Sequence, residues 1–460
     1  MSWSRAPMPR APLRTLMLLA LPMVLARASQ SVITFADAIQ VKHLGAGAIA
    51  ATATGGLNVM GFVILPMGIV LIVQSFVSQL VGRGDTRSAP RYAWYGLAIA
   101  LASGLVALAL IPLVAPALAL TGYSPGVRDQ MSSYMAIRML SVAAAVGIEA
   151  LGNWYGGLGN TWMQMIAGGI TMASAVLFNW VLIDGHLGAP AMGVDGAALA
   201  STIATWLGFA FLAIAFLRRR RGGGKLSKQE LGRVIRFGLP NGLNWFLEFA
   251  AFQLFVNVVM ASLGDTTVAA LNAVIAVNSL AFMPAFGLAS AGAILAGQAI
   301  GRKATADVWP QMKVTLACTG AWMGAIGVIE LLVPRTVLSL FAEPDSALVA
   351  IGAPMLAISA LWQVFAAVGI TVAETLRAAG DTTWTALVRL AIAWLVFAPS
   401  AYLVVRYTTG GATGAMACLV GYLALLAVAL ALRFRHGAWR SIELIEPELV
   451  PVLDPEAAAQ

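Results

Sequence analysis

The chain carries very little charge for its length. Only 10% of its 460 residues are Asp, Glu, Lys or Arg, whereas 60% are hydrophobic. A soluble protein must cover its surface with polar side chains, so this composition excludes a water-soluble globular protein and indicates that lipid is the solvent for most of the surface. Because that surface need not be polar, we expect one membrane unit rather than two or three soluble domains.

Cysteine and histidine are also scarce. The two cysteines, Cys318 and Cys418, lie inside apolar runs rather than in loops, so they do not indicate a disulfide or metal framework. The three histidines lie at different predicted helix ends and fit no metal-binding spacing: His43, His186 and His436. We therefore expect no metal and no organic cofactor. A membrane-embedded enzyme, which would need clustered His, Cys or acidic side chains, is disfavoured.

Long apolar runs are what the chain has in abundance. A bilayer core about 30 Å thick needs about 20 apolar residues in a helix. The sequence predicts twelve such helices, with approximate bounds 14–42, 46–80, 93–115, 131–155, 163–184, 194–217, 233–262, 266–299, 312–334, 348–377, 385–405 and 413–433. Kinks are expected at the prolines inside long runs: Pro22, Pro66, Pro240 and Pro284.

The basic residues are distributed unevenly between the two sides of the membrane. Assigning alternate loops to the same side gathers 21 of them on one side and leaves four on the other: Lys42, Arg128, Arg335 and Arg406. The positive-inside rule then places both termini in the cytoplasm of a multi-pass protein in the bacterial inner (plasma) membrane. The basic run within 218–232 is expected to be a linker, and nucleic-acid binding is not expected.

The two halves of the chain resemble each other. A shift of about 219 positions aligns residues 21–22 with 239–240 and residues 79–83 with 298–302, which indicates duplication. Six helices per half return the chain to the same side, so the predicted fold is an all-α integral membrane protein with twelve transmembrane helices in two six-helix lobes, related by a pseudo-two-fold axis along the membrane normal. The expected units are an N-lobe (1–217), a cytoplasmic basic linker (218–232), a C-lobe (233–433) and a flexible cytoplasmic tail (434–460).

This architecture predicts transport. Rocking of two such lobes around a central cleft gives alternating access to a site near the membrane midplane. A channel would need a ring of charges or a carbonyl filter, and the sequence shows neither. A flippase for lipid-linked precursors remains the alternative, although its pyrophosphate group would favour a strongly cationic cleft and only Arg27, Arg138 and Arg389 lie well within the predicted helices.

Two acids inside the helices are the leading candidates for cation coupling. An ionised group in hydrocarbon costs at least about 2.5 kcal/mol on insertion scales, so such an acid is a functional candidate by default. Asp37 lies in the outer part of the first helix, where pairing with Arg27 or Lys42 is the alternative. Glu248 lies near the middle of the seventh, where a structural hydrogen bond is the alternative. A carboxylate loses its charge on protonation, so it can bind either a coupling ion or a cationic substrate.

Other acids lie closer to the ends of the predicted helices. Asp184 and Glu330 are expected near the outer interface, where hydration removes most of the cost of their charge. Glu149 and Glu374 lie toward the cytoplasmic end, where an ion pair such as Glu374 with Arg377 competes with a coupling role.

Neutral polar and aromatic side chains complete the candidate cleft. The polar candidates, for which helix-to-helix hydrogen bonding is the alternative, are Asn179, Asn244 and Gln363. The candidate substrate contacts, for which packing or lipid contact is the alternative, are Trp245, Phe252 and Phe286. Such side chains suit a broad, adaptable site for organic molecules.

Three segments resemble the multidrug and toxic compound extrusion (MATE) family, and the likeness runs over most of residues 14–433. Residues 37–45 look like its first-helix pattern, an acid followed by Val-x-x-Leu-Gly, although Lys42 stands where a glycine is usual. Residues 179–198 are similar to its fifth-helix stretch and the Gly-x-x-Gly-Ala-Ala entry to the sixth helix. Residues 239–248 resemble the seventh-helix motif of the bacterial multidrug branch, whose acid is implicated in cation coupling.

The resemblance implies a secondary active antiporter rather than an enzyme. It would export organic, often cationic, drugs or metabolites in exchange for protons or sodium, as a monomer whose partners are small organic substrates and membrane lipids. The branch often carries an acid in the tenth helix downstream of a Gln, but Ala366 stands there after Gln363. Ala175 stands where a second fifth-helix asparagine is common. The missing acid favours protons over sodium as the coupling ion, and both remain open.

Overall fold

The protein is represented by a computed structural model that describes residues 12–121, 123–219, 225–341 and 343–445. For residues 12, 28–39, 42, 46 and 50 it describes the backbone only.

Twelve helices in two sets of six make up the described chain. The N-lobe contains α1 (Pro12–Val41), α2 (Ala46–Val70 and Ile72–Arg83), α3 (Ala89–Ala119), α4 (Pro125–Met139 and Val142–Gly157), α5 (Trp162–Asp184) and α6 (Gly193–Arg219). The C-lobe contains α7 (Lys228–Leu254, extended by Phe255–Met260 and Ala261–Leu263), α8 (Asp265–Gly301), α9 (Val308–Leu332), α10 (Ala347–Ala379), α11 (Thr382–Ala391, Ile392–Phe397 and Ala398–Tyr407) and α12 (Gly411–His436). A short helix, Pro334–Leu338, follows α9.

The predicted membrane fold is confirmed. Among the described residues, ten helices are long and apolar enough to cross a bilayer, and the two parts of α4 taken together form an eleventh such span with a bend of 44°. The 30 residues of α1 provide the twelfth helix. The four prolines predicted as kink sites all lie inside uninterrupted helical segments, whereas the bend in α4 falls at Leu140 and Ser141.

The duplication is visible in the backbone at the start of the second helix of each lobe. Gly45 precedes α2 with φ 98° and ψ 170°, and Gly264 precedes α8 with φ 101° and ψ 162°. An L-residue with a side chain rarely adopts this conformation, so glycine is required at both positions. The same sharp entry at positions that the shifted sequences align shows that each lobe repeats one structural unit.

The two lobes pack together through α1 and α2 on one side and α7, α8 and α10 on the other. The contact involves the end of the bundle that carries the Arg- and Lys-rich segments 83–91, 225–236, 302–313 and 433–440, here termed the basic end. There Gly82 lies against the backbone of Gln298, and Gly301 against that of Gln79, so closely that an added Cβ would clash at either position. Small residues thus let α2 and α8 cross at backbone contact.

Arg377 reinforces this contact from α10. Its guanidinium donates to the Leu71 carbonyl at 2.7 Å and to Gln74 Oε1 at 3.1 Å, and Gln79 Nε2 donates back to the Ala378 carbonyl at 2.8 Å. The lobes are therefore joined at the basic end by hydrogen bonds as well as by packing.

The segment after α12 also lies at this contact. Leu444 and Ile445 are buried, and their carbonyls accept hydrogen bonds from Arg233 of α7 and Arg83 of α2, both at 2.9 Å. The expected flexible tail from residue 434 is thus corrected for 434–445, because α12 continues to His436 and the following residues bury apolar side chains. Residues 446–460 lie outside the described residues.

Candidate functional site

Glu248 is held by two side chains of its own lobe. Its Oε2 lies 3.2 Å from Arg389 Nη1 of α11, and the Tyr422 hydroxyl of α12 donates to its Oε1 at 2.7 Å. The side chains of Glu248 and Arg389 are 32% and 19% exposed. The acid is therefore part of a neutral pair that remains accessible, rather than an isolated buried charge.

The helices around this pair leave the regular α geometry. Phe255–Met260 of α7 and Ile392–Phe397 of α11 are both π-helical and lie within two turns of Glu248 and Arg389 respectively. Such insertions frequently occur at functional sites because they turn neighbouring side chains by part of a helical turn. Their position beside Glu248 and Arg389 supports a functional site in this region of the C-lobe.

A second group forms where the two lobes meet. Trp245 of α7 packs edge to face on Phe286 of α8, with ring centroids 6.0 Å apart. Arg27 of α1 lies 5.2 Å from the Phe286 centroid and forms a bidentate ion pair with Glu149 of α4, at 3.0 and 3.2 Å. An ion pair of the N-lobe thus lies against an aromatic pair of the C-lobe at the contact between the lobes.

Phe252 is separate from this group. Its ring packs 6.2 Å from Phe255, which in turn contacts Phe397 in the C-lobe core. The structure therefore brings two of the three predicted substrate contacts together and places Phe252 with the core residues.

The two predicted asparagines lie in different lobes. Asn179 of α5 is fully buried in the N-lobe. Asn244 of α7 is nearly so, and among the described residues its Oδ1 has no hydrogen-bond partner. Asn244 therefore holds a buried acceptor oxygen one position before Trp245 in the chain.

Glu330 has the most unexpected environment in the C-lobe. Its side chain is fully buried on α9, so the prediction of a hydrated acid at the membrane interface is wrong. The third predicted polar residue, Gln363 of α10, donates through Nε2 to Glu330 Oε1 and to Asn278 Oδ1, both at 2.8 Å. Ser359 Oγ lies 3.3 Å from Glu330 Oε2. No cationic side chain pairs with Glu330 in the part of the chain that the structure describes.

The burial of Glu330 follows from the lengths of neighbouring helices. Although α9 ends at Leu332, it packs between α8 and α10, which have 37 and 33 residues against its 25. Gly327, one turn earlier, brings α9 close to α10, since a Cβ there would lie in tight contact at 3.1 Å from the Ala360 carbonyl oxygen. This close approach lets α10 cover the carboxyl group.

The remaining acids behave largely as expected. Asp184 is exposed and lies 2.8 Å from His43 Nε2, which agrees with a position near the interface. Glu374 pairs with Arg377, the ion pair predicted as the alternative to coupling. Asp37 and Lys42 lie outside the residues whose side chains are described. Within the described residues, no group of three or more His, Cys, Asp or Glu could hold a metal ion.

Two apolar lobes of six helices, joined at one end and related by an internal repeat, define a membrane transporter. Comparison with known proteins agrees, since the family model MatE matches residues 22–181 and again residues 243–403, once in each lobe. The chain belongs to this family, the multidrug and toxic compound extrusion transporters, which confirms the resemblance noted in the sequence. It is a transporter and not an enzyme.

Several curated relatives match nearly the whole chain. A probable multidrug resistance protein NorM of Deinococcus radiodurans is 30% identical over 401 residues, which cover 84% of this chain and 87% of the relative. The multidrug resistance protein PmpM of Pseudomonas aeruginosa is 28% identical over 473 residues, which cover 98% and 96%.

Solved structures share the fold. A transporter of the MOP superfamily from Pyrococcus furiosus aligns with a TM-score of 0.84 at 20% identity and covers 94% of this chain and 97% of its own. An outward-facing conformation of a multidrug resistance MATE family transporter aligns with a TM-score of 0.83 at 21% identity, with the same coverage.

Proposed function

We propose that the protein is a secondary active antiporter that exports organic, often cationic, compounds in exchange for protons or sodium ions by alternating access. The observation that carries the proposal is Glu248, a carboxylate inside a membrane-spanning helix that is balanced by a single cation and still partly exposed. An acid inside the membrane lowers the stability of the protein, so its presence there indicates a function. The names of the relatives, which are multidrug resistance proteins, support the same substrate class.

The Glu248 pair suggests how exchange can be coupled. Arg389 balances the negative charge of Glu248 while no other cation is bound. A proton or an organic cation that binds the carboxylate replaces Arg389 as its partner, and the two ligands exclude each other because they use the same oxygens. Mutual exclusion at one site links inward movement of the ion to outward movement of the compound.

Residues of both lobes complete the proposed site. Asp37 is the coupling acid proposed for the N-lobe, together with Asn179. Trp245 and Phe286 offer ring faces to an organic cation, and Asn244 offers an acceptor.

The basic end is the proposed cytoplasmic side, because positive loops remain inside. Both termini then lie in the cytoplasm of a bacterial inner membrane, with 1–217 and 233–433 as the moving units of a monomer and 218–232 as the linker. Since the lobes are joined at the basic end, this conformation corresponds to one that is closed to the cytoplasm. Opening requires that the Arg377 and Gln79 hydrogen bonds break and that the segment 438–445 leaves the contact.

The flippase alternative has less support. Two of the three arginines inside the helices, Arg27 and Arg389, are each neutralised by an acid, Glu149 and Glu248. A pyrophosphate group would therefore meet little net positive charge.

The test is gradient-driven transport by purified protein in proteoliposomes. With a fluorescent organic cation as substrate, Glu248→Gln and Asp37→Asn are each expected to lower ion-driven export by about tenfold or more, because neither neutral side chain can exchange one cation for another. The matched control is Glu343→Gln, the same chemical change at an exposed position of the C-lobe. Separate pH and sodium jumps identify the ion, and full activity of both variants would contradict the proposal.

A further inference from the structure

The C-lobe contains a second membrane carboxylate, Glu330, whose surroundings differ from those of Glu248. Glu330 contacts one amide and one hydroxyl, is fully buried, and is held between α8 and α10. Its neighbours, here termed the Glu330 cluster, are Asn278, Ser359 and Gln363.

Every donor of the Glu330 cluster is already in use. The two N–H groups of Gln363 serve Glu330 Oε1 and Asn278 Oδ1. Those of Asn278 serve the Val274 carbonyl at 2.8 Å and Ser359 Oγ at 3.2 Å. The single hydroxyl hydrogen of Ser359 is best directed to the Leu356 carbonyl, which at 2.7 Å is nearer than Glu330 Oε2.

Two oxygens are then left without a donor: Glu330 Oε2 and Gln363 Oε1. Gln363 Oε1 is buried and has no partner among the described residues. With the single Ser359 hydroxyl hydrogen on the Leu356 carbonyl, Oγ accepts the Asn278 N–H and keeps a second lone pair for the 3.3 Å contact with Glu330 Oε2. A proton on Glu330 Oε2 that is donated to Ser359 Oγ would satisfy this contact and remove the buried charge. The contact between Glu330 Oε2 and Ser359 Oγ therefore lacks a hydrogen, which a proton on Glu330 supplies.

We propose that Glu330 is a second proton-binding site of the transport cycle, formed with Asn278, Ser359 and Gln363 and distinct from the Glu248 pair. The geometry corresponds to the protonated state. Loss of the proton leaves an uncompensated carboxylate between three helices, which disfavours their close packing and favours entry of water. Proton occupancy therefore shifts the equilibrium between close and looser packing of α9 against α8 and α10. Coupling requires such an equilibrium between two states. This inference rests on the proposed antiport function.

The first test observes the proton directly. Infrared spectroscopy of the purified protein at neutral pH is expected to show a carboxylic-acid C=O band that Glu330→Gln removes and that the exposed control Glu343→Gln leaves in place. Persistence of the full band in Glu330→Gln would overturn the proposal. Because the readout needs no transport, it stands even if the wild-type protein shows no ion-driven export, a result that would refute only the antiport function.

The second test separates coupling from substrate binding. In proteoliposomes, Glu330→Gln is expected to lower export driven by a pH gradient about tenfold or more while keeping exchange of substrate for substrate within about twofold. The variant should fold, because the Gln amide can donate to Ser359 Oγ as the protonated acid does. Unchanged pH-driven export, or a loss confined to export driven by sodium, would overturn the proposal. If Glu330→Gln fails to fold, Glu330→Asp is tested instead and is expected to retain pH-driven export. Loss of pH-driven export in a folded Glu330→Asp variant would contradict the proton site.

Discussion

Glu248 and Glu330 are two carboxylates inside one lobe that are neutralised in different ways. Glu248 is balanced by Arg389, receives the Tyr422 hydroxyl and remains partly exposed. Glu330 is fully buried, and its contacts among the described residues are an amide and a hydroxyl. The charge of an acid inside a membrane protein can thus be neutralised either by a fixed cation or by a proton. Only in the second arrangement does the packing of the helices depend on protonation of the acid.

The difference predicts which changes each site tolerates. Removing one partner of an ion pair leaves the other charge uncompensated, whereas replacing both partners is far milder. A neutral cluster contains no second charge, so it is sensitive to lost hydrogen bonds instead.

The largest effect is expected at the ion pair. Arg389→Gln leaves Glu248 without its cation inside a helix and is expected to lower the free energy of unfolding by about 2–3 kcal/mol, less than is usual for a fully buried pair because both side chains are partly exposed. The double variant Glu248→Gln with Arg389→Gln should recover most of that loss. Thermal or denaturant unfolding of the single and double variants measures the coupling between them.

The control for this cycle is Arg406→Gln, an exposed arginine at the far end of the same helix, α11. It should leave stability unchanged within about 0.5 kcal/mol. Additive losses in the double variant would mean that Glu248 and Arg389 do not interact energetically, and the contrast with Glu330 would disappear.

An intermediate effect is expected at the Glu330 cluster. Ser359→Ala removes the acceptor for the Asn278 amide and for the proposed Glu330 proton, and it leaves both donors buried without a partner. The expected loss in unfolding free energy is about 1–2 kcal/mol. Ser400→Ala is the control, because that hydroxyl donates to the Phe397 carbonyl of its own helix. Equal stability of the two variants would contradict the hydrogen-bond scheme drawn for the cluster.

The fold itself was largely predictable because each helix depends on a local apolar run. The fifth helix was predicted at 163–184 and lies at Trp162–Asp184, and the sixth was predicted at 194–217 and lies at Gly193–Arg219. The pairing of Glu374 with Arg377 was also within reach, since residues three apart share one face of a helix.

Much of the site was not predictable, because it depends on contacts between distant helices. Glu248 and Arg389 are 141 positions apart, and no local pattern connects them. The burial of Glu330 does not follow from its distance to the end of α9, because the flanking helices α8 and α10 decide it. An apolar run fixes where a helix crosses the membrane, but not which neighbours cover its end.

The smallest effect is expected at Tyr422. Tyr422→Phe removes one hydroxyl, as Ser359→Ala does, but Glu248 keeps Arg389 and is exposed enough for water to replace the lost donor. The expected loss is about 0.5–1 kcal/mol in the same unfolding assay, and Tyr407→Phe, at an exposed tyrosine of α11, should be neutral. If Tyr422→Phe costs more than Ser359→Ala, then the Glu248 pair is the drier of the two sites and the roles assigned to the two carboxylates must be exchanged.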